Sequence, residues 1–369
     1  MRVVLDAHML GAQEGGNETY VAGLIQGLTA ITMPTDTTVT ALHDPAYCPH
    51  ASPTSVRYIP MSRSGNIRRL LIDLPRACHR TGADVLHVTY NAPLLLANAL
   101  VVSVHDVIYR RYPRYFSPQV RLLLNTVLPL SMRRAQVILT ISETSRRDIE
   151  HFYPFTRGRV VVVPIAAGSV ATVTPNCEAA LRYSAGHEFI LAVGTIQPRK
   201  NITRLINAYI AARQRGKITA RLIVVGKAAW QHSEIQQVAN ASLYRDDVMF
   251  TGYLDDATVA GLYQTCAAFV YPSLYEGFGL PVLEAMACGA PVITSQISSM
   301  PEVAGDAAIM IDPYRTEQIV EAIEGVLSNR ALQADLRARG QRQAALFTWE
   351  RTATETLAVY RQAMQKRVL

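Results

Sequence analysis

The sequence predicts an α/β protein built from two Rossmann-like, doubly wound parallel-sheet domains. Three observations predict this class. The chain has 369 residues, more than a single hydrophobic core usually serves, so two domains are expected. A hydrophobic content of 49% is enough to fill large buried sheets. Strand-like and helix-like runs alternate along the whole chain, which is typical of parallel α/β sheets.

The first domain is expected at residues 1–170, where apolar runs of strand length alternate with runs of helical period. The predicted strands lie near residues 2–7, 37–43, 55–60, 84–89, 99–105, 136–141 and 159–164. The predicted helices lie near residues 17–31, 66–80, 117–134 and 143–152. Pro75 is expected to interrupt the second of these helices.

The second domain is expected at residues 171–348. Residues 165–187 lose the periodic pattern and are predicted to form a linker. The predicted strands that follow lie near residues 189–194, 220–225, 247–251, 267–271, 291–294 and 307–311. The predicted helices lie near residues 201–215, 230–242, 255–266, 281–288, 315–328 and 330–346. A last helix is predicted near residues 349–367.

Charge is concentrated in the first part of the chain. Residues 1–175 carry 17 Arg, no Lys and 11 Asp or Glu, a net charge of +6 out of +7 for the chain. Residues 63–80 mix Arg63, Arg68, Arg69, Arg76 and Arg80 with apolar residues, and residues 110–116 mix arginines with aromatics in a predicted loop. Such mixtures favour contact with an anionic membrane surface. The alternative is a basic, solvated rim.

Localisation and cofactors follow from what the sequence lacks. No run approaches 18 apolar residues, and the first residues enter a strand without a signal-peptide layout, so the expected location is the cytoplasm, with peripheral contact on the inner face of the membrane. Five cysteines, at positions 48, 78, 177, 266 and 288, show no C-x-x-C spacing and are expected to be reduced thiols. We predict neither a bound metal nor a cofactor.

Residues 271–293 carry the most specific pattern, Tyr-Pro-Ser-Leu-Tyr-Glu-Gly-Phe-Gly-Leu-Pro-Val-Leu-Glu-Ala-Met-Ala-Cys-Gly-Ala-Pro-Val-Ile. An apolar strand is followed by a loop and by a short helix that begins near Pro281 and ends at Gly289. Glu276 therefore lies in the loop and Glu284 in the opening turns of the helix. Both are predicted at the carboxyl end of a strand, where open α/β sheets bind ligands.

The same stretch predicts a nucleotide-sugar site. Glycines at 277 and 279 leave backbone amides accessible, and these amides together with the helix dipole favour an anion such as phosphate. The carboxylate of Glu284 can accept two hydrogen bonds from vicinal hydroxyls, which a ribose offers. The alternative is a helix start that the dipole alone stabilises, by about 0.3–1 kcal/mol.

A second charged motif lies in residues 192–201, Ala-Val-Gly-Thr-Ile-Gln-Pro-Arg-Lys-Asn. The helix dipole disfavours cations at a helix start, so Arg199 and Lys200, directly before the predicted cap Asn201, require a compensating anion. A diphosphate supplies that anion. The two cations are thus predicted to stabilise a departing nucleoside diphosphate in place of a metal. The alternative is solvated surface charge.

Three further signals are weaker. His105 ends a strand on the ligand side of the sheet, with Asp106 next to it to orient the ring. Gly15 and Gly16 open a helix after the first strand, where they serve either a phosphate or a tight turn. Residues 250–254 end a strand whose backbone groups could bond the edge of a nucleobase.

The two glutamates eight residues apart, with their glycines and the Arg199–Lys200 pair, resemble the signature of the family 4 glycosyltransferases, retaining enzymes of the GT-B fold that include bacterial mannosyltransferases. This resemblance implies two domains that face one another across a cleft. It also implies that a C-terminal helix, residues 349–369, packs back onto the first domain.

The resemblance assigns roles to individual residues. It implies that Glu284 holds the donor ribose, that Glu276 faces the transferred sugar and that His105 touches the sugar hydroxyls. The implied catalytic residues are Glu276, Arg199, Lys200 and His105. The implied donor-binding residues are Gly15, Gly16, Arg199, Lys200, Gly226, Phe250, Tyr253, Glu276, Gly277, Phe278, Gly279, Leu280 and Glu284.

The expected function is a metal-independent, retaining hexosyl transfer. We expect mannose to move from GDP-mannose to a hydroxyl of a glycan or a lipid-linked acceptor, with UDP-glucose and UDP-N-acetylglucosamine as alternative donors. Two other classes stay open: a sugar-nucleotide epimerase, which would isomerise the donor without an acceptor, and a nucleotide-sugar sensor, which would bind the donor without turnover.

Overall fold

The structure is a computed structural model of the chain. It describes residues 1–12, 15–47, 55–62, 65–93, 96, 98–227 and 232–368. The chain forms two compact units: unit 1 comprises Met1–Ala166 and Phe347–Leu369, and unit 2 comprises Ala167–Leu346. Among the described residues, no helix combines the length and the apolarity needed to cross a membrane.

Unit 1 is built on a seven-stranded parallel sheet. Its strands are β1 Arg2–Ala7, β2 Thr38–His43, β3 Val56–Pro60, β4 Val85–Thr89, β5 Ala99–Ser103, β6 Val137–Thr140 and β7 Val160–Val162. They lie in the order β3-β2-β1-β4-β5-β6-β7. Val3 of the central strand pairs with Val39 on one side and Val85 on the other. Because helices cover both faces, the central strands are continuous apolar runs, which is why the sequence predicted them.

The helices of unit 1 connect consecutive strands. They are α1 Gly16–Ala30, α2 Asn66–Arg68, α3 Leu74–Thr81, α4 Ile108–Arg111, α5 Pro118–Arg134 and α6 Glu143–Phe152. The second predicted helix continues past Pro75, but not as a regular α-helix: a π-helical turn, Arg69–Asp73, joins α2 to α3, and Pro75 falls in the first turn of α3. The predicted loop at residues 110–116 is also corrected, since α4 and a 3₁₀ turn, Pro113–Tyr115, occupy it.

Unit 2 repeats the plan with six parallel strands. They are β8 Phe189–Val193, β9 Arg221–Val225, β10 Val248–Gly252, β11 Ala268–Tyr271, β12 Val292–Ser295 and β13 Ile309–Ile311, in the order β10-β9-β8-β11-β12-β13. The helices are α7 Cys177–Ser184, α8 Ile202–Gln214, α9 His232–Asn240, α10 Asp256–Thr265, α11 Leu280–Ala287, α12 Met300–Ala304, α13 Thr316–Ser328 and α14 Arg330–Ala344.

The predicted linker at residues 165–187 is partly wrong, because it contains α7. Asn176 caps this helix, its side-chain oxygen accepting from the Ala179 amide at 3.0 Å. The Asn176 backbone amide also donates to the carbonyl of Ala257, at 2.8 Å, and so ties α7 to α10. A short helix fixed by such a distant contact leaves no strong period in the sequence.

The C-terminal helix, α15 Trp349–Val368, belongs to unit 1 and packs on α1. Two glycines of α1 permit the contact: a Cβ on Gly23 would lie 2.1 Å from the Trp349 ring, and one on Gly27 would lie 2.0 Å from the Trp349 carbonyl oxygen. Tyr360 of α15 reaches the sheet, where its hydroxyl hydrogen bonds the buried His87 at 2.8 Å. Larger side chains at either glycine would push the helix away.

Candidate active site

The loop after β11 places the carboxylate of Glu276 at the centre of a buried cluster in unit 2. Glu276 is 7% exposed. One of its oxygens lies 2.7 Å from Lys200 Nζ and the other 2.5 Å from Arg199 Nη1. One carboxylate thus faces two cations, and the cluster carries one positive charge in excess. The sequence predicted all three residues, and the structure brings them into direct contact.

Two hydroxyls that the sequence analysis missed complete the shell of Glu276. Tyr271 and Ser273 donate to its Oε1 at 2.8 and 2.6 Å. Lys200 donates to the Tyr271 hydroxyl and lies 4.8 Å from the centroid of the Tyr271 ring. Because each partner is itself buried, the carboxylate and the ammonium are held in one geometry before any ligand arrives.

The loop after the neighbouring strand β12 secures the backbone of Glu276. Ser298 Oγ accepts from the Glu276 amide at 3.0 Å and donates to the Glu276 carbonyl at 2.7 Å. Ser299 Oγ donates to the carbonyl of Phe278 at 2.6 Å. Ser298 lies 22 residues from Glu276 in sequence and Ser299 lies 21 residues from Phe278, and the parallel pairing of β11 with β12 brings the two loops together.

Arg199 and Lys200 lie on a 3₁₀ turn, Pro198–Lys200, that follows β8. Asn201 occupies the N-cap position of α8, but within the described part of the chain its side chain makes no capping bond, contrary to the prediction. Its amide instead donates to the carbonyls of Pro272, at 3.1 Å, and Pro313, at 2.7 Å. Asn201 therefore joins the cationic turn to the glutamate loop.

Burial and charge act in opposite directions on this cluster. Burial would raise the pKa of Glu276, but the charges of Arg199 and Lys200 outweigh it and lower that pKa to about 2. Burial lowers the pKa of Lys200, and repulsion by Arg199 lowers it further. Attraction by Glu276 raises it in part, and the resulting pKa is about 8. At neutral pH the carboxylate is therefore ionised and the amine is mostly protonated.

Glu284 lies in the second turn of α11, partly buried. Burial raises its pKa to about 7, and the charge of Asp256 adds to the rise, against a hydrogen bond from the Gly168 amide and the attraction of Lys200. The two glutamates of the motif thus differ in state: Glu276 is a fixed anion, whereas Glu284 is close to half protonated at neutral pH.

The glycines of the motif shape the start of α11. Gly279 takes a φ of +112°, which side-chain-bearing residues rarely adopt, and begins the helix, with Pro281 in the first turn. Gly277 and Phe278 are buried beside it, and Leu280 is half-buried. This loop-to-helix junction has the backbone geometry that favours an anion.

The predicted nucleobase border lies at the ends of β9 and β10. A Cβ on Gly226 would lie 2.0 Å from the carbonyl oxygen of Gly194, which follows β8, so glycine is required where the ends of β8 and β9 meet. Tyr253 is 66% exposed, and Lys227 Nζ lies 4.9 Å from its ring centroid. The half-buried ring of Phe250 packs on the core of unit 2. Tyr253 is therefore the aromatic ring available for stacking.

His105 follows β5 in unit 1 and is 6% exposed. Its Nδ1 lies 2.9 Å from Asn17 Oδ1, so Asn17 orients the ring, and Asp106 instead accepts from the Ile108 amide at 3.1 Å. This corrects the prediction for Asp106. Burial lowers the pKa of His105 to about 4, so its imidazole is neutral at pH 7. Its buried Nε2 has no hydrogen-bond partner among the described residues and is available to a ligand hydroxyl.

Gly15 and Gly16 lie at the start of α1, next to Asn17. Gly15 is the N-cap residue with a φ of +63°. The residues just before it, 13 and 14, lie outside the described part of the chain. Gly15, Gly16 and His105 are the members of the predicted donor set that lie in unit 1. Asn17, which follows Gly16, contacts the His105 ring and so connects the start of α1 to it.

A cavity of about 300 Å³ in unit 1 was not predicted. It lies at the carboxyl ends of the central strands, lined by His8, Met9, Ala12, Asp44, Met61, Gly65, Asn66, Arg69, Thr89, Tyr90 and Asn91. Beneath it the fully buried Asp6 pairs with Arg69, which is 2% exposed, and accepts a hydrogen bond from His8 Nδ1 at 2.9 Å. Arg69 Nε has no partner among the described residues.

The Asp6–Arg69 pair corrects the prediction that Arg69 belongs to an exposed basic face. Burial would raise the pKa of Asp6, but the charges of Arg69 and then of His8 lower it, so the pair is ionised. The sequence signal was present but weak: Asp6 ends the first strand, on the ligand side of a parallel sheet.

Two parallel α/β units, one of which carries a cationic, glycine-lined cluster at its strand ends, are typical of transferases that use an anionic, activated donor. Residues 178–343 match the family described as "Glycosyl transferases group 1", and residues 14–166 match "Glycosyltransferase Family 4". The chain belongs to this glycosyltransferase family, as its motifs predicted.

Named relatives agree with that membership. The chain is 33% identical over 265 residues to O-antigen chain mannosyltransferase B of Escherichia coli, which covers 71% of this chain and 70% of that protein. It is 34% identical over 227 residues to serotype-specific mannosyltransferase WbdA of Escherichia coli, and this matched region covers 60% of this chain but 28% of WbdA.

Solved structures show the fold. A sucrose-phosphate synthase from Thermosynechococcus elongatus superposes with a TM-score of 0.75 at 22% identity, over 98% of each chain. WaaG, a glycosyltransferase involved in lipopolysaccharide biosynthesis, gives a TM-score of 0.70 at 17% identity, over 96% of this chain and 98% of its own. The predicted GT-B class, with two Rossmann-like parallel sheets, is confirmed.

Proposed function

We propose that the protein is a retaining mannosyltransferase that uses GDP-mannose and a glycan or lipid-linked hydroxyl acceptor. The names of the Escherichia coli relatives support mannose as the sugar. The observation that carries the donor assignment is the Glu276 cluster, in which Arg199 and Lys200 leave one positive charge in excess. A diphosphate is the ligand that such a cluster favours.

In the proposed reaction the bond between the sugar C1 and the diphosphate oxygen breaks. The acceptor oxygen bonds to C1 from the same face, and its proton passes to the departing phosphate oxygen. Arg199 and Lys200 stabilise the negative charge that grows on that phosphate, without a metal. With its pKa near 2, Glu276 stays ionised, so it positions the two cations and stabilises the sugar electrostatically rather than transferring a proton.

The cavity above the Asp6–Arg69 pair supports an acceptor role for unit 1. The charges of Asp6 and Arg69 cancel, while His8, Asn66 and Asn91 add polar groups and Asp44 adds a carboxylate. Such a lining suits the hydroxyls of a sugar. The proposal also includes peripheral contact with an anionic membrane, which the net charge of +6 over residues 1–175 favours.

A sugar-nucleotide epimerase is the second candidate, although the names of the Escherichia coli relatives do not favour it. Glu284, with a pKa near 7, is a carboxyl that could exchange protons at neutral pH. Incubation of the protein with GDP-mannose alone separates the two functions, because an epimerase would produce an isomerised nucleotide sugar. A transferase would leave the donor intact or hydrolyse it slowly to GDP and mannose.

The direct test supplies a mannose-terminated oligosaccharide with GDP-mannose, UDP-glucose or UDP-N-acetylglucosamine and measures release of the nucleoside diphosphate and the anomeric form of the product. We expect product from GDP-mannose with its α configuration retained. A thermal-shift comparison of GDP and UDP is independent of the acceptor, since a ligand at 100 times its Kd adds about 2.7 kcal/mol of stability. Stabilisation by UDP alone would overturn the GDP-mannose assignment, and binding without turnover would indicate a sensor.

A further inference from the structure

The first half of α5 exposes apolar side chains that a folded core would normally bury. Val120, Leu122 and Leu123 are 44%, 67% and 59% exposed. The second half anchors the helix, since its buried residues begin at Leu128 and end at Met132. The helix therefore projects its N-terminal half, and we call residues 112–123, the preceding turn included, the α5 tip.

The charged side chains in the sequence segment that contains the α5 tip have one sign. Residues 107–142 contain six arginines and no Asp, Glu or Lys. Arg121 is exposed between the apolar residues of the helix, and Arg114 lies 5.0 Å above the ring of Tyr115. Arg111 pairs with Asp148 at 2.8 Å, so it is not assigned to the surface. An apolar face bordered by arginines is typical of elements that lie in the interface of an anionic bilayer.

Aromatic rings occupy the turn that leads into α5. Tyr112 and Tyr115 stack with their centroids 5.7 Å apart and remain partly exposed. Tyrosine favours the headgroup region, because its ring is apolar and its hydroxyl bonds water and phosphate. The tip thus carries aliphatic, aromatic and cationic groups in one short stretch of chain.

The other basic segment, residues 63–80, fits a membrane less well. Arg69 is buried against Asp6, which removes one of its cations. Arg68 donates to Ser62, which in turn donates to Asp73, so a carboxylate lies within that surface. Arg63 lies outside the described residues. Ile67 is 76% exposed, but its surroundings are of mixed charge.

We propose that the α5 tip docks on an anionic lipid bilayer, with Val120, Leu122 and Leu123 inserted and Arg114 and Arg121 on lipid phosphates. This inference deepens the membrane contact of the proposed function, but it does not depend on the transfer chemistry. A second copy of the chain is a poorer occupant, because a symmetric contact through this tip would bring Arg121 of each copy close to the other.

The test compares sedimentation with phosphatidylcholine vesicles that contain or lack phosphatidylglycerol, at low and at high salt. We expect the wild-type protein to sediment with the anionic vesicles at low salt and to be released at high salt. The variant Leu122→Ser/Leu123→Ser should bind at least about tenfold more weakly, since two apolar insertions are lost. Leu181→Ser is the matched control, because this leucine is 51% exposed on α7 of unit 2.

A second variant, Arg114→Ser/Arg121→Ser, should lose the preference for anionic over neutral vesicles. The proposal is overturned if the wild-type protein does not prefer anionic vesicles, or if both variants bind them as the wild type does. It is also overturned in favour of self-association if sedimentation velocity shows an oligomer that only the leucine variant dissociates. Transfer to a small oligosaccharide in vesicle-free buffer should be the same for all three proteins, so that failure of docking is distinguished from failure of the proposed transferase activity.

Discussion

Both units of the protein bury a carboxylate beside an arginine at their strand ends, but the two clusters differ in charge. In unit 1 the carboxylate of Asp6 meets one permanent cation, Arg69. In unit 2 the carboxylate of Glu276 meets two cations, Arg199 and Lys200. The first pair cancels, whereas the second cluster keeps one positive charge in excess.

This difference separates two kinds of ligand. The balanced Asp6–Arg69 pair lies beneath a polar cavity that holds no excess cation, and the cavity's carboxylate, Asp44, and its amides can accept hydrogen bonds from the hydroxyls of an acceptor. An excess cation in a buried site attracts an anion strongly, because the protein interior has a low dielectric constant and screens the attraction less than water does. We therefore expect changes in the Glu276 cluster to act on the donor and the chemical step, and changes at the cavity above the Asp6–Arg69 pair to act on the acceptor.

The largest effect is expected from Lys200→Ala, which removes the excess charge and leaves unit 2 with a balanced pair like that of unit 1. Turnover at saturating donor should fall by about 10²–10³-fold, because the leaving-group charge grows in the transition state. The wild-type protein should also lose turnover above pH 8, where Lys200, whose pKa is about 8, gives up its proton. Measurement of kcat against pH for both proteins checks this.

Lys217→Ala is the matched control for that variant, since this lysine is exposed in unit 2, and its kcat should match the wild type. A near-normal kcat for Lys200→Ala would remove the ammonium from the chemical step. The charge comparison between the two units would then carry no functional meaning.

Glu284→Gln should act on donor binding. The Glu284 pKa is raised to about 7, so the carboxyl is mostly protonated at pH 6 and ionised at pH 8. Ribose hydroxyls donate to the ionised form, so the donor Kd of the wild-type protein should fall as pH rises from 6 to 8. The variant should bind the donor about tenfold more weakly at pH 8 and lose this pH dependence. Isothermal titration with GDP at both pH values measures it.

The exposed Glu321 on α13 provides the control, Glu321→Gln, which should retain the wild-type pH profile. If Glu284→Gln binds GDP with unchanged affinity at pH 8, Glu284 does not hold the ribose.

His8→Ala should affect unit 1 alone. The imidazole lies 2.9 Å from Asp6 and lines the cavity, so its loss removes a polar contact to the acceptor while the buried ion pair remains. We expect the acceptor KM to rise by about five- to tenfold with the donor KM unchanged. The control is His79→Ala, an exposed histidine of α3. A rise in the donor KM instead would assign the cavity to the donor.

The sequence predicted the strands well and the short helices poorly. All thirteen strands lie within one or two residues of their predicted bounds, because parallel strands covered on both faces are continuous apolar runs. The helices α4, α7 and α12 were missed, since segments of four to eight residues carry little period and depend on caps and distant contacts.

The same contrast holds for the sites. The unit 2 cluster was predictable because its charges lie in two short motifs with recognisable glycines and prolines. The Asp6–Arg69 pair was not, because its members are 63 residues apart and Arg69 lies among other arginines that are exposed. Likewise Ser298 and Asn17 carry no local signal, and only the folded loops show that they position Glu276 and His105.

The smallest effect is expected from metal removal. If the excess charge of unit 2 does the work that a divalent cation performs elsewhere, EDTA should leave the wild-type kcat unchanged. The variant Lys200→Ala lacks that excess charge. If Lys200 acts through its charge alone, added Mg²⁺ should restore part of the variant's turnover. If the position of the ammonium matters, Mg²⁺ should restore none. Turnover assays of both proteins in EDTA and in Mg²⁺ or Mn²⁺ measure this. Loss of wild-type activity in EDTA that Mg²⁺ or Mn²⁺ restores would show that Arg199 and Lys200 are insufficient, and the diphosphate would then need a metal in addition to these cations.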